Sequence, residues 1–255
     1  MTGRGRHWFG ALAWTAVAVA VASCDLSVAP GNIYSISKVL LPSPGVVLGD
    51  TMRDSTGAVA PLRVIAFTAN NDTVAGTTPY FVALDTLVHL TGGTKLIGDL
   101  TGKARLVGGI GEMQTLPETV TVTLSPDTIV AADSTRHVKT FSLLTDSIAN
   151  SAELATIVQH KVAGGTNTTV DAVIVKYSLV SSPPSKTSLP TVAILNNNNA
   201  STRDTTSSGR AGRTLRLYIN RRTNVNLDSA IVQATTAYRG VSLGTVTFRV
   251  IFQSQ

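Results

Sequence analysis

The residue with the most distinctive chemistry in this chain is Cys24, the only cysteine among 255 residues. A cysteine thiolate is a strong nucleophile, and with no second cysteine the chain cannot form an internal disulfide. Cys24 follows the small residues Ala22 and Ser23, at the end of an apolar run. The small side chains would fit a peptidase that cuts before the cysteine. The cysteine itself provides a thiolate that can attack a lipid donor.

The N-terminus contains the three parts of a secretory signal in order. Arg4 and Arg6 are the basic part, a 14-residue apolar run extends from Trp8 to Val21, and a small-residue site follows. The run is shorter than the roughly 20 residues that a membrane-spanning helix needs. We therefore expect residues 1–23 to be removed as a signal peptide.

The string VASC, which ends at Cys24, resembles the bacterial lipobox. The resemblance implies cleavage before Cys24, diacylation of its sulfur and a membrane anchor in the bacterial cell envelope. Pro30, Gly31 and Asn32 indicate that residues 24–33 form a tether. Two acyl chains give stable anchoring where one is marginal. Two alternatives stay open: ordinary cleavage after the Ala20–Ala22 site, which leaves a free thiol, and an incidental cysteine.

Other reactive residue types do not form a recognisable motif in the sequence. His89, His137 and His160 have no metal-ligand spacing, and strings typical of serine hydrolases, zinc proteases or P-loops do not occur. The run from Asn196 to Asn199 with Asp204 offers oxygen ligands to a hard cation, but a polar turn is the favoured interpretation. We therefore expect no enzyme activity, no cofactor and no metal.

Positive charge is concentrated near the C-terminus, where residues 203–255 contain eight Arg and two Asp, a net charge of +6. Alternation directs Leu215 and Leu217 to the core and Arg216 outward with Tyr218. Such a surface could bind an anionic partner, although solvated loops are the simpler interpretation. With one neighbouring aromatic we expect no nucleic-acid partner. The candidate arginine patch comprises Arg210, Arg213, Arg216, Arg221 and Arg222.

The sequence predicts that short β-strands position these residues. Apolar and polar residues alternate in 119–124, 171–180 and 245–252, as in half-buried antiparallel strands. The segment 150–159 fits either a strand or a short helix. Both tryptophans lie in the signal, which disfavours a sugar-binding platform.

Five strand-like segments recur in the same order at offsets of 107–111 residues. For example, the segment at 64–68 matches 174–178, and 101–104 matches 208–211. The pattern predicts two tandem β-sandwiches, residues 34–145 and 146–255, each of immunoglobulin-like size.

The strings TGKARL, which begins at Thr101, and TSSGRAGRTLRL, which ends at Leu217, resemble the Gly-x-Ala turn and strand of bacterial Ig-like domains. The early Gly49–Asp50 step fits that family, whereas its frequent central tryptophan is absent. The resemblance implies a structural, adhesive or spacer module with no catalytic residues. We thus expect a non-catalytic, lipid-anchored envelope protein with a protein or envelope-polymer partner. The alternative is a binding protein for an anionic polymer or ligand, acting through the arginine patch.

Overall fold

A computed structural model describes residues 32–141, 150–223 and 227–254. Within these ranges the regular elements are β-strands, apart from one 3-10 turn at Ile219–Arg221. The strands build two units with separate hydrophobic cores. The expected all-β sandwich class is therefore confirmed. The chain forms strands because it is rich in Val and Thr, whose β-branched side chains pack well on a pleated surface.

The N-terminal unit contains ten short strands. Their bounds are β1 (Ser35–Ile36), β2 (Gly45–Val47), β3 (Ala66–Phe67), β4 (Thr73–Val74), β5 (Pro79–Ala83), β6 (Val88–Thr91), β7 (Lys95–Gly98), β8 (Gly102–Ile110), β9 (Met113–Gln114) and β10 (Glu118–Thr123). The main sheet has the order β2-β10-β8-β5, and smaller sheets are formed by β1-β3-β4 and by the β6-β7 hairpin. Only the β2–β10 pair of the main sheet is parallel.

The C-terminal unit contains eleven strands and the 3-10 turn. Their bounds are β11 (Thr128–Ala131), β12 (Arg136–Phe141), β13 (Ser151–His160), β14 (Thr168–Thr169), β15 (Ile174–Ser181), β16 (Val192–Asn196), β17 (Asn199–Ala200), β18 (Arg203–Thr205), β19 (Arg210–Leu217), β20 (Leu227–Tyr238) and β21 (Val241–Ser254). One sheet has the order β11-β13-β19-β16-β17 and the other β12-β21-β20-β15-β18. This order follows the A-B-E-D and G-F-C sheets of an immunoglobulin-like sandwich.

Alternating side chains fill the C-terminal core as the sequence predicts. In β21 the side chains of Val246, Phe248, Val250 and Phe252 are all buried. Residues 150–159, which fitted either a strand or a helix, form most of β13. Tyr177 is fully buried, and its hydroxyl bonds to Thr156 Oγ1 and to the carbonyl of Ala211. The polar end of the largest core side chain is thereby satisfied.

The two units share a sheet layout, but not with the strand equivalences that the repeat predicted. The order β2-β10-β8-β5 matches β12-β21-β20-β15, and in both sheets the first pair is parallel. Strand β8 therefore corresponds to β20, whereas the sequence matched it to β19, a strand of the other sheet. The alignment at offsets of 107–111 residues is wrong by one strand, because alternating Val and Thr segments look alike whichever sheet they join.

The predicted boundary at Thr145–Asp146 lies outside the described residues. The two strands before it nevertheless pair with the C-terminal unit: β11 with β13, and β12 with β21. Ile129 of β11 also belongs to the C-terminal core. By strand pairing the two units meet between Thr123 and Thr128, so residues 128–141 belong to the C-terminal unit and not to the first sandwich.

Candidate functional site

Cys24, the candidate lipid attachment residue, lies outside the described residues. So do the signal peptide and all of the predicted tether except Asn32 and Ile33. Ile33 packs against the N-terminal core, which fixes the point at which the chain enters the first unit. Within 32–141, 150–223 and 227–254, no helix has the length and apolar character to cross a membrane.

Strand β19 sends the arginines of the patch to opposite sides. Arg213 shares the inward face with Leu215 and Leu217, and its side chain is buried. Its Nη1 lies 2.9 Å from Asp204 Oδ1, and its Nη2 donates to the carbonyl of Arg203. An ion pair whose guanidinium is buried is part of the packed structure, although Asp204 itself stays partly exposed. Arg213 is therefore a structural residue and does not belong to an exposed patch.

Arg210 and Arg222 are also engaged. Arg210 Nη2 lies 3.1 Å from Asp133 Oδ2 and 3.2 Å from Glu153 Oε1, so two carboxylates offset its charge. Arg222 is buried and forms a backbone bridge with Ser185. The structure thus brings neither residue to a free cationic surface.

The remaining two arginines stack on one tyrosine. The guanidinium carbon of Arg221 lies 4.1 Å from the centroid of the Tyr218 ring, and that of Arg216 lies 5.3 Å from it. Tyr218 and Arg216 share the outward face, as the sequence predicted. Arg221 enters the same cluster through the 3-10 turn that follows β19. Each contact has the geometry of a cation–π interaction. We call these three residues the Tyr218 cluster.

The histidines and the asparagine run have local partners. His89 Nδ1 lies 2.7 Å from Asp99 Oδ2, and His160 Nδ1 lies 2.8 Å from Asp127 Oδ2. Burial lowers the pKa of His137. In the described part of the chain, His, Asp and Glu side chains nowhere gather in threes with a geometry for a metal ion. Asn197 and Asn198 take positive φ values in the turn between β16 and β17, as expected for a polar hairpin turn.

The most densely bonded polar group of the described chain lies where the two units meet. The side chain of Asp50 is only 8 % exposed. From its own unit it accepts Arg53 Nε at 2.8 Å and the backbone amide of Thr51 at 2.9 Å. From the C-terminal unit it accepts the Tyr238 hydroxyl at 2.6 Å and Arg239 Nε at 3.0 Å. We call this network the Asp50 joint.

Ionisation of the joint follows from these contacts. Burial alone would raise the pKa of Asp50, but the hydrogen bonds from Arg53, Arg239 and Tyr238 hold it well below its usual range. Burial and the hydrogen bond to Asp50 raise the pKa of Tyr238 to about 12. At neutral pH the joint therefore combines a carboxylate with a neutral phenol and two guanidinium groups.

Close backbone packing accompanies the joint. Gly57 follows it in the chain with φ of +89°, and a Cβ there would overlap the backbone nitrogen of Gly240 at the β20–β21 turn. A Cβ on Gly45 would lie 2.7 Å from the Cβ of Ala172, which has a φ of +58°. At two places, then, a glycine of the N-terminal unit lets the C-terminal unit approach its backbone.

Sequence reasoning did not identify this joint. Gly49–Asp50 resembles a step of the Ig-like family, and Tyr238–Arg239–Gly240 has the residue types of an ordinary hairpin turn. The available signal was a pair of charged residues, Asp50 and Arg53, within a polar loop. Nothing local connects them to a hairpin 188 residues away.

Comparisons with known proteins give structural neighbours only. No family model matches the chain, and no curated protein matches it. The Yersinia pseudotuberculosis adhesin InvE is similar over 87 % of this chain, with 17 % identity and a TM-score of 0.35. Domains 4 and 5 of the S-layer protein SbsC are similar over 87 % of this chain and 98 % of theirs, with 13 % identity and a TM-score of 0.29.

A third solved structure, zebrafish RET cadherin-like domains 1 to 4, is similar over 69 % of this chain and 40 % of its own length, with 9 % identity and a TM-score of 0.29. The chain spans 60 % of the length of the InvE structure. The assignment of two β-sandwich units in this protein rests on its own strand pairing and its two cores.

Proposed function

We propose that this protein is a non-catalytic, lipid-anchored component of the bacterial cell envelope. Its two β-sandwiches act as one stiff module that holds or contacts a partner, in a structural or adhesive role. The observation that carries the proposal is the Asp50 joint. A flexible chain of domains has no need of a buried carboxylate that accepts hydrogen bonds from both units. Relative motion of the units would break the two bonds that cross between them, from Tyr238 and Arg239.

The short connection between the units supports a stiff module. Only residues 124–127 separate β10 from β11, and Leu124 packs against the C-terminal core. Domains usually move relative to each other unless their interface is substantial. Here a short linker, a buried ionic network and close glycine contacts act together to restrict that motion.

The anchoring part of the proposal rests on the N-terminal sequence. A basic segment, a short apolar run and VASC precede the first unit. A diacylated Cys24 would connect the module to a membrane surface through residues 25–33, about 30 Å when fully extended.

The test of anchoring compares the wild-type chain with Cys24→Ser in a bacterial host. We expect wild-type protein in the detergent phase on phase partitioning, and Cys24→Ser in the aqueous phase. Mass spectrometry of the wild-type N-terminal peptide should show cleavage before Cys24 and a mass increase for two acyl chains. An unmodified peptide that begins at Ser23, the product of ordinary signal cleavage, would overturn the anchoring claim.

The test of stiffness is small-angle X-ray scattering of the exported chain, compared with an Asp50→Asn variant. A stiff module gives one compact two-lobed profile that a single arrangement fits. The variant should need a set of arrangements with larger average dimensions. Wild-type scattering that already requires such a set would contradict the proposal.

A second candidate function is binding of an anionic polymer through the Tyr218 cluster. The evidence in favour is that Arg216 and Arg221 remain available to an anion. In the described part of the chain, neither guanidinium lies within 4.0 Å of a carboxylate oxygen, the limit for an ion pair. Stacking on one ring orients both cations together. The cluster is smaller than the five-residue patch that the sequence predicted, since Arg210, Arg213 and Arg222 are engaged elsewhere.

A further inference from the structure

A cavity of about 350 Å³ opens between the two units, beside the Asp50 joint. Strands β2, β15 and β18 contribute to its wall, together with the end of β20. Its size falls in the range of small-molecule pockets, about 300–1,000 Å³. The structural or adhesive role proposed above does not use this cavity.

One part of the wall is apolar. Val47 of the N-terminal unit, Pro126 of the linker, and Val173 and Ile174 of the C-terminal unit all line the cavity. Val47, Val173 and Ile174 are each partly exposed. Apolar side chains that remain open to solvent in a concave site provide contact area for the hydrophobic part of a ligand.

The polar part of the wall carries two cations that face each other. Lys176 of β15 and Arg203 of β18 are directly opposite in the register of an antiparallel pair, and both line the cavity. Like charges directly opposite each other destabilise a strand pair. Among the described residues, neither Lys176 nor Arg203 has a carboxylate oxygen within 4.0 Å, so neither forms an ion pair. An anion between the two would remove this repulsion.

The other charged groups of the cavity are already engaged. Arg53 and Arg239 both bind Asp50. The carboxylate of Asp54 accepts bonds from the amide and hydroxyl of Thr56, within its own turn. Asp54 keeps its negative charge, because its hydrogen-bond donors are neutral. The lining nevertheless has four cations against two carboxylates, a net charge of +2, and Lys176 and Arg203 are its two cations without a carboxylate partner.

We propose that this cleft binds a small organic anion. A carboxylate or phosphate group would sit between Lys176 and Arg203, and an apolar body would lie against Val47, Val173 and Ile174. A guanidinium opposite an ammonium suits either headgroup, since both bind oxyanions through charge-assisted hydrogen bonds. Binding here requires the two units to stay together, but it does not require a lipid on Cys24.

The test is isothermal titration calorimetry of the purified full chain with phenyl phosphate and phenylacetate, which combine an anionic group with one ring. At least one should bind with one-to-one stoichiometry, and the tighter of the two identifies the headgroup. Inorganic phosphate and acetate, which lack the ring, and benzyl alcohol, which lacks the charge, should bind at least tenfold more weakly. Absence of binding by both ring-bearing anions at millimolar concentration overturns the proposal.

Two matched double variants locate the site. Lys176→Gln with Arg203→Gln should weaken binding at least tenfold. Lys95→Gln with Arg249→Gln removes the same charge from exposed positions that do not line the cavity, and should change the affinity less than twofold. Equal losses in both variants, or none in the first, would show that the anion does not bind in this cleft. All four positions are exposed, and thermal unfolding should confirm that each variant is folded.

Discussion

The hydroxyl of Tyr238 donates a hydrogen bond to Asp50 Oδ2 at 2.6 Å, and so joins two sandwiches across 188 residues of chain. Arg239 donates to the same oxygen from the next residue of the hairpin. Asp50 is thus held from one side by its own loop and from the other by the turn of the C-terminal unit. Its carboxylate is therefore a point at which hydrogen bonds cross directly from one unit to the other.

Replacing Asp50 with Asn should lower the free energy of unfolding by about 2–4 kcal/mol. The substitution removes the buried negative charge to which the guanidinium groups of Arg53 and Arg239 both bind. Urea unfolding monitored by circular dichroism measures the change. Asp85→Asn is the control: Asp85 pairs with an exposed Arg105, and surface pairs contribute about 0–1 kcal/mol. Similar losses in both variants would mean that the joint adds nothing beyond a surface ion pair.

Stability at low pH should depend on the same residue. The folded chain holds the pKa of Asp50 below its ordinary value of 3.8, so below that value the unfolded chain binds the proton more readily. The contribution of Asp50 is therefore complete above about pH 4 and decreases as the pH falls toward the folded pKa. Unfolding in urea between pH 2.5 and 7 should show a steeper acid loss for the wild type than for Asp50→Asn. Parallel curves would contradict this assignment.

Stability at high pH should depend on Tyr177. Burial raises its pKa to about 12, from an ordinary value of 10.0. A buried neutral phenol stabilises the fold fully below the unfolded pKa, and the contribution is lost as the pH rises through the folded one. The wild type should therefore lose stability between pH 10 and 12, and Tyr177→Phe should lose less in that window. Tyr34→Phe, at a side chain 64 % exposed, should follow the wild-type curve.

Close packing between the units is tested by a pair of glycines. Gly57 and Gly76 have φ values of +89° and +75°, so Ala at either position incurs backbone strain of about 1–2 kcal/mol. A Cβ on Gly76 meets no atom within 4 Å, whereas one on Gly57 would lie 2.8 Å from the carbonyl carbon of Arg239. Gly57→Ala should therefore lower the urea midpoint clearly more than Gly76→Ala. Equal shifts would indicate that the two units do not touch at this turn.

The alternation of apolar and polar residues was sufficient to predict the all-β class of the fold. Alternation predicts β21 through Val246, Phe248 and Phe252. The asparagine run predicts a polar turn, which in the structure connects β16 and β17. Side-chain periodicity determines which residues face a core, and it requires no knowledge of the partner strand.

Strand partners and the joint could not be obtained in the same way. Strands β8 and β19 both begin near a Gly-x-Ala turn, yet β8 pairs with β10 and β5, and β19 with β13 and β16. Choosing between such pairings depends on contacts far apart in sequence. The partners of Asp50 could not be predicted for the same reason, because Tyr238 and Arg239 lie in a hairpin far from it in sequence.

The arginines differ in a way that stability and binding experiments separate. Arg213→Gln should lower the free energy of unfolding by about 3 kcal/mol, because it leaves Asp204 without its buried partner. Arg216→Gln should lower it by no more than about 1 kcal/mol, because Arg216 is partly exposed and loses only its stacking on Tyr218. Urea unfolding of both variants measures the difference, and equal effects would contradict the inward and outward assignment along β19.

Retention on heparin then tests whether the Tyr218 cluster binds polyanions. Arg216→Ser with Arg221→Ser should elute at a distinctly lower salt concentration than the wild type, because two oriented cations are lost. The matched variant, Arg105→Ser with Arg210→Ser, removes the same charge from residues that carboxylates already neutralise. If net charge alone determined retention, the two variants would elute together. Earlier elution of the Tyr218-cluster variant alone would therefore assign the polyanion contact to the stacked arginines.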